Sequence, residues 1–188
     1  MVSLTALWLP ILLSAVFVFI ASSVIHMVTP MHKGDMKKLP GEDAVLAALR
    51  AAGARPGQYM LPGCPSMKEM GSEAMKAKYE QGPVGFLSVI PNGPPAIGKN
   101  LIQWFVYCLV IGVFVAYVTG VALAPGADYL RVFRIAGNAA VLGYALGAVD
   151  DSIWKGTPWA TTAKFVLDGI VYGLVTAGTF GWLWPAAA

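Results

Sequence analysis

The chain has 188 residues, of which 57% are hydrophobic and only 12% charged, whereas charged residues make up about 25% of ordinary soluble domains. Its formal net charge is only +3, and its basic residues are mixed with acids, so a nucleic-acid-binding face is not expected. Its two cysteines, Cys64 and Cys108, lie in a polar and an apolar segment respectively, which argues against a disulfide between them.

Long uncharged runs are the strongest signal in the sequence. No Asp, Glu, Lys or Arg precedes Lys33, and none lies between Lys99 and Asp128. The runs Val2–Val28 and Leu101–Ala124 can each cross ~30 Å of hydrocarbon as a helix. The first run lacks the basic segment of a secretory signal and is longer than a signal core. We therefore expect it to be retained as a membrane anchor.

A polar segment at residues 30–99 separates these two runs, and its many apolar residues argue against disorder. Its first predicted helix begins with two acids, Glu42 and Asp43, which are favourable at a helix N-terminus, and it ends before Gly53. Ser66 and Glu69 have the spacing of a capping box, which predicts a second helix. Short β-prone runs bounded by Pro and Gly predict strands. The predicted elements are helices Glu42–Ala52 and Met67 to about Tyr79, and strands Gln58–Leu61 and Gly85–Ile90.

Two weaker apolar runs follow, and they predict spans at about Tyr129–Val149 and Thr161–Trp184. In the third span, Arg131 and Arg134 must extend towards one membrane interface. The predicted fold is a membrane all-α protein with four transmembrane helices and a small α+β polar insert between helices 1 and 2. Its predicted parts are residues 1–29, 30–99 and 100–188.

The distribution of basic residues predicts the orientation of these spans. Lysines dominate the side of the insert, at Lys33, Lys37, Lys38, Lys99, Lys155 and Lys164, whereas only Arg131 and Arg134 mark the other side. Basic residues concentrate on the cytoplasmic side of membrane proteins. We therefore expect a cytoplasmic insert, both termini outside, and a location in the inner (plasma) membrane of a prokaryote.

Small residues recur at four-residue spacing in three of the predicted spans. In lipid, such stripes allow two helix backbones to approach closely. We interpret these stripes as contacts between helices of one bundle. The alternative is that they form an interface with a partner protein or a second copy of the chain. The residues are Gly112, Ala116, Gly120, Gly143, Gly147, Gly169, Gly173, Ala177 and Gly181.

Asp168 lies within the fourth span, where an unpaired carboxylate is costly. Lys164, one turn earlier on the same helix face, is its expected partner. Two interpretations remain open: a structural ion pair, or an ion or proton relay. The relay candidates are Asp168, Lys164, Asp150, Asp151 and Gln103, with His26 on the same membrane side.

Soft potential metal ligands concentrate at the end of the first span and in the insert. Thioether, thiol and imidazole groups suit copper(I), but their spacing matches no strong metal motif, and several of the methionines can serve as core fillers. No resident cofactor is predicted, and copper remains the alternative. The candidate ligands are His26, Met27, Met31, His32, Met60 and Cys64.

No catalytic motif such as GxSxG, Walker A, HExxH or GxGxxG occurs in the sequence, which makes an enzyme the less favoured interpretation. We expect a non-catalytic integral membrane protein that serves as an accessory, assembly or scaffold subunit. Its partners would be membrane lipid and either another membrane protein or a second copy. A small transporter or channel using Asp168 and Lys164, and a copper- or other metal-binding membrane protein, are the alternatives.

Overall fold

The computed structural model describes residues 1–187, and the chain is 65% helical with one small two-stranded sheet. Four helical segments are long and apolar enough to cross a membrane. By length and composition, the predicted number of four spans is therefore confirmed. These segments are Leu4–Met27, Ile97–Ala122, Tyr129–Lys155 and Trp159–Trp182.

The elements follow one another in the predicted order. The helices are α1 (Trp8–Met27), α2 (Glu42–Ala51), α3 (Met67–Met70), α4 (Glu73–Gln81), α5 (Ile97–Ala122), α6 (Tyr129–Tyr144), α7 (Gly147–Lys155) and α8 (Trp159–Trp182), and the strands are β1 (Gly57–Leu61) and β2 (Gly85–Val89). They form two compact units: residues 1–35 with 96–187, here called the bundle, and residues 36–95, here called the insert.

Close helix contacts in the bundle are made at small residues. A Cβ added to Gly169 on α8 would lie 2.5 Å from the backbone Cα of Ala145, and one added to Gly120 on α5 would lie 2.6 Å from the carbonyl oxygen of Val2. Gly112, Gly143, Gly173 and Gly181 meet other helices in the same way, and Ala116 and Ala177 are buried. Gly147 has no atom within 4 Å of its added Cβ. These contacts lie within one chain, as packing of a single bundle requires.

The third apolar segment is interrupted, whereas a continuous span was predicted. Helix α6 ends at Tyr144 and α7 begins at Gly147. Two flanking glycines, Gly143 and Gly147, lower the helix propensity here, and the backbone of Ala145 packs directly against Gly169. The segment then continues to Lys155, beyond the predicted end at Val149, and Gly156 terminates it in the left-handed conformation with φ +69°.

The end of the bundle that carries both termini is joined by hydrogen bonds between segments distant in sequence. The Val2 amide donates to the Gly120 carbonyl at 2.8 Å, and the Gly126 amide donates to the Pro185 carbonyl at 2.8 Å. The Trp184 indole donates to the Ala124 carbonyl at 3.1 Å. The Gly120 carbonyl belongs to the last turn of α5, where carbonyls have no partner within the helix, so the bond from Val2 satisfies it.

The insert contains the predicted helices and strands with one difference. Strands β1 and β2 pair antiparallel, with Gly57 opposite Val89 and Leu61 opposite Gly85. The predicted helix after Ser66 is divided into α3 and α4, because Ser72 caps a new helix by accepting from the Met75 amide. Met75 is the only buried residue in the insert, so much of its apolar surface is exposed.

The contact between Gly169 and Ala145 predicts a specific stability effect. Gly169→Ala should lower the stability of the solubilised protein by about 1–3 kcal/mol, because its Cβ would meet backbone that cannot rotate away. Thermal unfolding in detergent measures this. Gly178→Ala, on the same helix, is the control, since its Cβ would lie 3.7 Å from the Tyr129 hydroxyl. Equal unfolding temperatures for the two variants would contradict the packing argument.

Candidate functional site

A cluster of ionisable side chains lies at the end of the bundle where α1 finishes. Its members come from the last turn of α1 (His26), the segment that follows (His32 and Asp35) and α8 (Lys164 and Asp168). The chain leaves the helical path before Pro30, since a residue preceding proline disfavours the helical conformation. Turns then follow, in which the Lys33 amide donates to the Pro30 carbonyl and the Asp35 amide to the His32 carbonyl.

The carboxylate of Asp168 is the most deeply buried charged group of the cluster, with its side chain only 2% exposed. Its Oδ2 lies 2.8 Å from His32 Nε2 and 3.6 Å from His26 Nε2. Its Oδ1 is buried and has no hydrogen-bond partner. A buried carboxylate oxygen without a partner is costly, so the Oδ1 side of this group lacks the compensation that Oδ2 receives.

His32 joins two carboxylates. Its Nδ1 lies 2.8 Å from Asp35 Oδ2, and its Nε2 lies 2.8 Å from Asp168 Oδ2. Each of these contacts needs one hydrogen, and ionised carboxylates only accept. An imidazolium with both ring nitrogens protonated satisfies both contacts. His32 and Lys164 then balance the charges of Asp35 and Asp168.

Asp35 is held from two sides. Lys164 Nζ donates to its Oδ1 at 2.5 Å, while His32 occupies Oδ2. The hydrogen bond from the Lys164 ammonium group lowers the pKa of the Asp35 carboxyl, partial burial opposes this, and the hydrogen bond from His32 lowers the pKa further. Asp35 therefore remains an anion that fixes the orientation of the His32 ring.

Three members of the cluster could hold a metal ion. One ligand atom each from His26, His32 and Asp168 lies within 4.8 Å of the others. Around a tetrahedral zinc ion, ligand atoms at about 2.0–2.2 Å from the metal are roughly 3.3 Å apart. The separations at Asp168 Oδ2 are 2.8 Å to His32 and 3.6 Å to His26, which lie on either side of that value, so a small movement of the His32 ring would bring all three donors to one ion. The donor set of two imidazoles and one carboxylate thus fits a transition-metal ion.

A cleft of about 460 Å³ lies beside the cluster and is lined by residues of all four spans. His26 and Asp168 form part of its wall. Trp104, Tyr144 and Tyr172 form another part, with ring centroids 5.7–6.3 Å apart. The hydroxyl of Tyr172 lies 3.4 Å from His26 Nε2. The cluster therefore borders a largely apolar cleft in which four aromatic side chains form part of the wall.

The predicted Lys164–Asp168 ion pair is wrong. Lys164 pairs with Asp35, and Asp168 contacts the two histidines instead. Of the other relay candidates, Asp151 pairs with Lys155 and lines the cleft, whereas Asp150 and Gln103 are exposed and take no part in the cluster.

The predicted metal ligands are divided between the two units. His26 and His32 meet in the cluster, with ring centroids 4.4 Å apart, and Met27 lines the neighbouring cleft. Met31, which precedes His32 in the sequence, is half-buried. Met60 on β1 and Cys64, whose thiol donates to the Ser66 carbonyl, belong to the insert.

Two members of the site were not identified from the sequence. Asp35 follows His32 by three residues, a spacing that allows contact within one turn, and this signal could have suggested the pair. Tyr172 follows Asp168 by four residues on α8 and therefore shares its helix face.

The comparisons with known proteins add no constraint on the site. No protein-family model matches the chain, and it matches neither a curated protein nor a solved structure. The geometry of the cluster and its cleft is therefore the basis for a functional assignment.

The observed ion pairs predict which double variants are coupled. Asp35→Asn and Lys164→Met should each destabilise the protein by leaving a partner uncompensated, and the double variant should recover part of the loss. Chemical or thermal unfolding of the two single variants and the double variant measures this coupling. As the matched control, Lys164→Met combined with Asp168→Asn should change the free energy of unfolding by nearly the sum of the two single changes, because these residues do not pair. Strong coupling in that second combination and none in the first would reverse the assignment.

Proposed function

We propose that this chain is an integral membrane protein that binds one divalent transition-metal ion through His26, His32 and Asp168. The observation that carries the proposal is the convergence of His26 and His32 on Oδ2 of the buried Asp168 carboxylate, whose other oxygen, Oδ1, has no partner. A metal ion would replace the proton shared by His32 and Asp168. It would also compensate the charge of Asp168 within an apolar helix.

The contact between His32 and Asp35 supports this function independently. Histidines that bind metals commonly donate their second ring N–H to a carboxylate, which fixes the ring and makes the ligand nitrogen more basic. Asp35 accepts from His32 Nδ1, and Lys164 fixes Asp35 in turn. Such support around a histidine is typical of a metal ligand.

The number of protein ligands indicates the kind of site. Structural zinc sites are closed by four protein ligands, whereas three ligands leave a position for water or another molecule. Imidazole and carboxylate donors suit zinc, iron and related divalent ions. The proposal therefore moves from copper(I), which the methionines and cysteine suggested, to a divalent ion with an open coordination position.

Metal binding by purified protein is the direct test. Protein stripped with a chelator and then desalted after exposure to Zn²⁺ should retain one zinc ion per chain by mass spectrometry. His32→Ala and Asp168→Asn should each weaken zinc affinity more than about 100-fold, and Asp35→Asn about 10–100-fold. Competition with a zinc-binding dye measures these affinities.

The matched control is Asp150→Asn, which removes an exposed carboxylate outside the cluster. It should leave the zinc affinity unchanged. Circular dichroism and the elution volume of each variant separate loss of a ligand from loss of the fold. A correctly folded wild-type protein that retains no zinc, or folded ligand variants with unchanged affinity, would refute the metal site.

An accessory or assembly role is a second candidate, and the exposed apolar surface of the insert favours it. Val45 and Leu46 on α2 and Phe86 on β2 are each more than 40% exposed, and Met75 is the only buried residue of this unit. Exposed apolar patches of this kind commonly mark protein interaction sites. We propose that the insert contacts another membrane protein or a second copy, in the inner membrane of a prokaryote and on its cytoplasmic side.

Native electrophoresis of gently solubilised membranes tests the accessory role. The chain should migrate well above its monomer mass, and replacing Leu46 by Lys should reduce the apparent mass, because a charge would enter the contact. Asn92→Lys, in an exposed loop of the insert, adds the same charge without altering an apolar side chain. A monomer in both the wild type and the variants would exclude a stable complex.

A further inference from the structure

The cleft beside the cluster has the size and lining of a small-molecule site. Its volume of about 460 Å³ lies within the range of about 300–1,000 Å³ typical of ligand pockets. Residues of all four spans contribute to its wall, so it is a feature of the folded bundle rather than of one helix. We infer that it binds a neutral aromatic alcohol of the phenol or hydroquinone class, with the hydroxyl directed at His26, Asp168 and Tyr172.

The walls of the cleft favour an aromatic body. Trp104, Tyr144, Phe165 and Tyr172 all line it. Aromatic rings prefer edge-to-face or offset contacts with other rings, and such pairs add to the free energy of burial. The rings of Trp104 and Tyr172 already meet edge-on at 5.8 Å. A planar aromatic ligand could extend this arrangement, and it could enter from the membrane because it is apolar.

The polar end of the cleft favours a hydroxyl head. No Lys or Arg contributes to the lining, which disfavours an anionic head such as a phosphate. The two carboxylates of the lining already have partners, since Asp168 contacts His32 and Asp151 pairs with Lys155, so neither requires a cationic head. A hydroxyl can donate to Asp168 and also accept from Tyr172 or His26. It could also occupy the open position of a bound metal ion.

This inference rests on the proposed function only because His26 and Asp168 belong to both sites. The aromatic walls and the volume do not depend on a metal ion. Binding of a phenol can therefore be measured in metal-free protein and in zinc-loaded protein separately.

Fluorescence quenching by para-bromophenol provides the test, because its bromine quenches a nearby tryptophan. Titration of the solubilised protein should give saturable quenching that disappears in Trp104→Phe. The methyl ether para-bromoanisole, which cannot donate, should bind at least about tenfold more weakly. Equal affinities for the phenol and its ether, or tighter binding of the cationic para-bromobenzylamine, would overturn the assignment of the head group.

Two matched variants keep the test independent of Trp104. Ala148→Phe would place a large side chain in the cleft and should weaken para-bromophenol binding at least about tenfold. Leu142→Phe makes a similar change on the exposed side of the bundle and should leave binding unchanged. Unfolding temperatures of both variants exclude a general loss of structure. Unchanged binding in a folded Ala148→Phe variant would overturn the location of the site.

The two proposals fail in different ways. Saturable phenol binding without retention of zinc would refute the metal site and leave the aromatic-alcohol site in place. Retention of zinc without saturable quenching would refute the aromatic-alcohol site alone. Binding of both, with a change in phenol affinity on zinc loading, would support a hydroxyl close to the metal.

Discussion

The carboxylate of Asp168 imposes the central constraint on this structure. It lies nine residues into an apolar helix, and its side chain is 2% exposed. A charge in such surroundings must be compensated by groups that reach it from other parts of the chain. The turns after α1 provide this compensation by bringing His32 to Asp168, and Asp35 and Lys164 hold His32 in place. The polar cluster therefore connects the first span to the fourth.

The two faces of α8 explain how a cleft can exist in a closely packed bundle. Gly169 and Gly173 face the third span, where Ala145 and Val141 approach the helix backbone. Asp168 and Tyr172, each one residue earlier, line the cleft. Small residues thus bring the helices together on one side of α8, while large aromatic rings border open volume on the other. A ligand site and tight packing can therefore use the same helix.

The sequence predicts the elements of this fold well because their signals are local. Two uncharged runs and two weaker apolar runs predicted the four spans, and the strands β1 and β2 start and end within one residue of their predicted limits. The partners of Lys164 and Asp168 could not be predicted in the same way. Helical spacing placed the two together, but the contacts depend on how the chain returns after Pro30, which no local pattern specifies. The interruption at Ala145 likewise depends on its packing against Gly169.

The two ends of the bundle differ in how its segments are joined. At the end with both termini, direct hydrogen bonds connect Val2 to Gly120, Gly126 to Pro185 and Trp184 to Ala124. At the other end, the first and fourth spans are joined through side chains, namely His32, Asp35 and Lys164. Two of the three bonds at the first end join backbone to backbone, whereas side chains can change rotamer while the helices stay intact, so relative motion of the spans should be larger at the cluster end. Entry and release of a ligand would then require only a small tilt of the helices about a fixed far end.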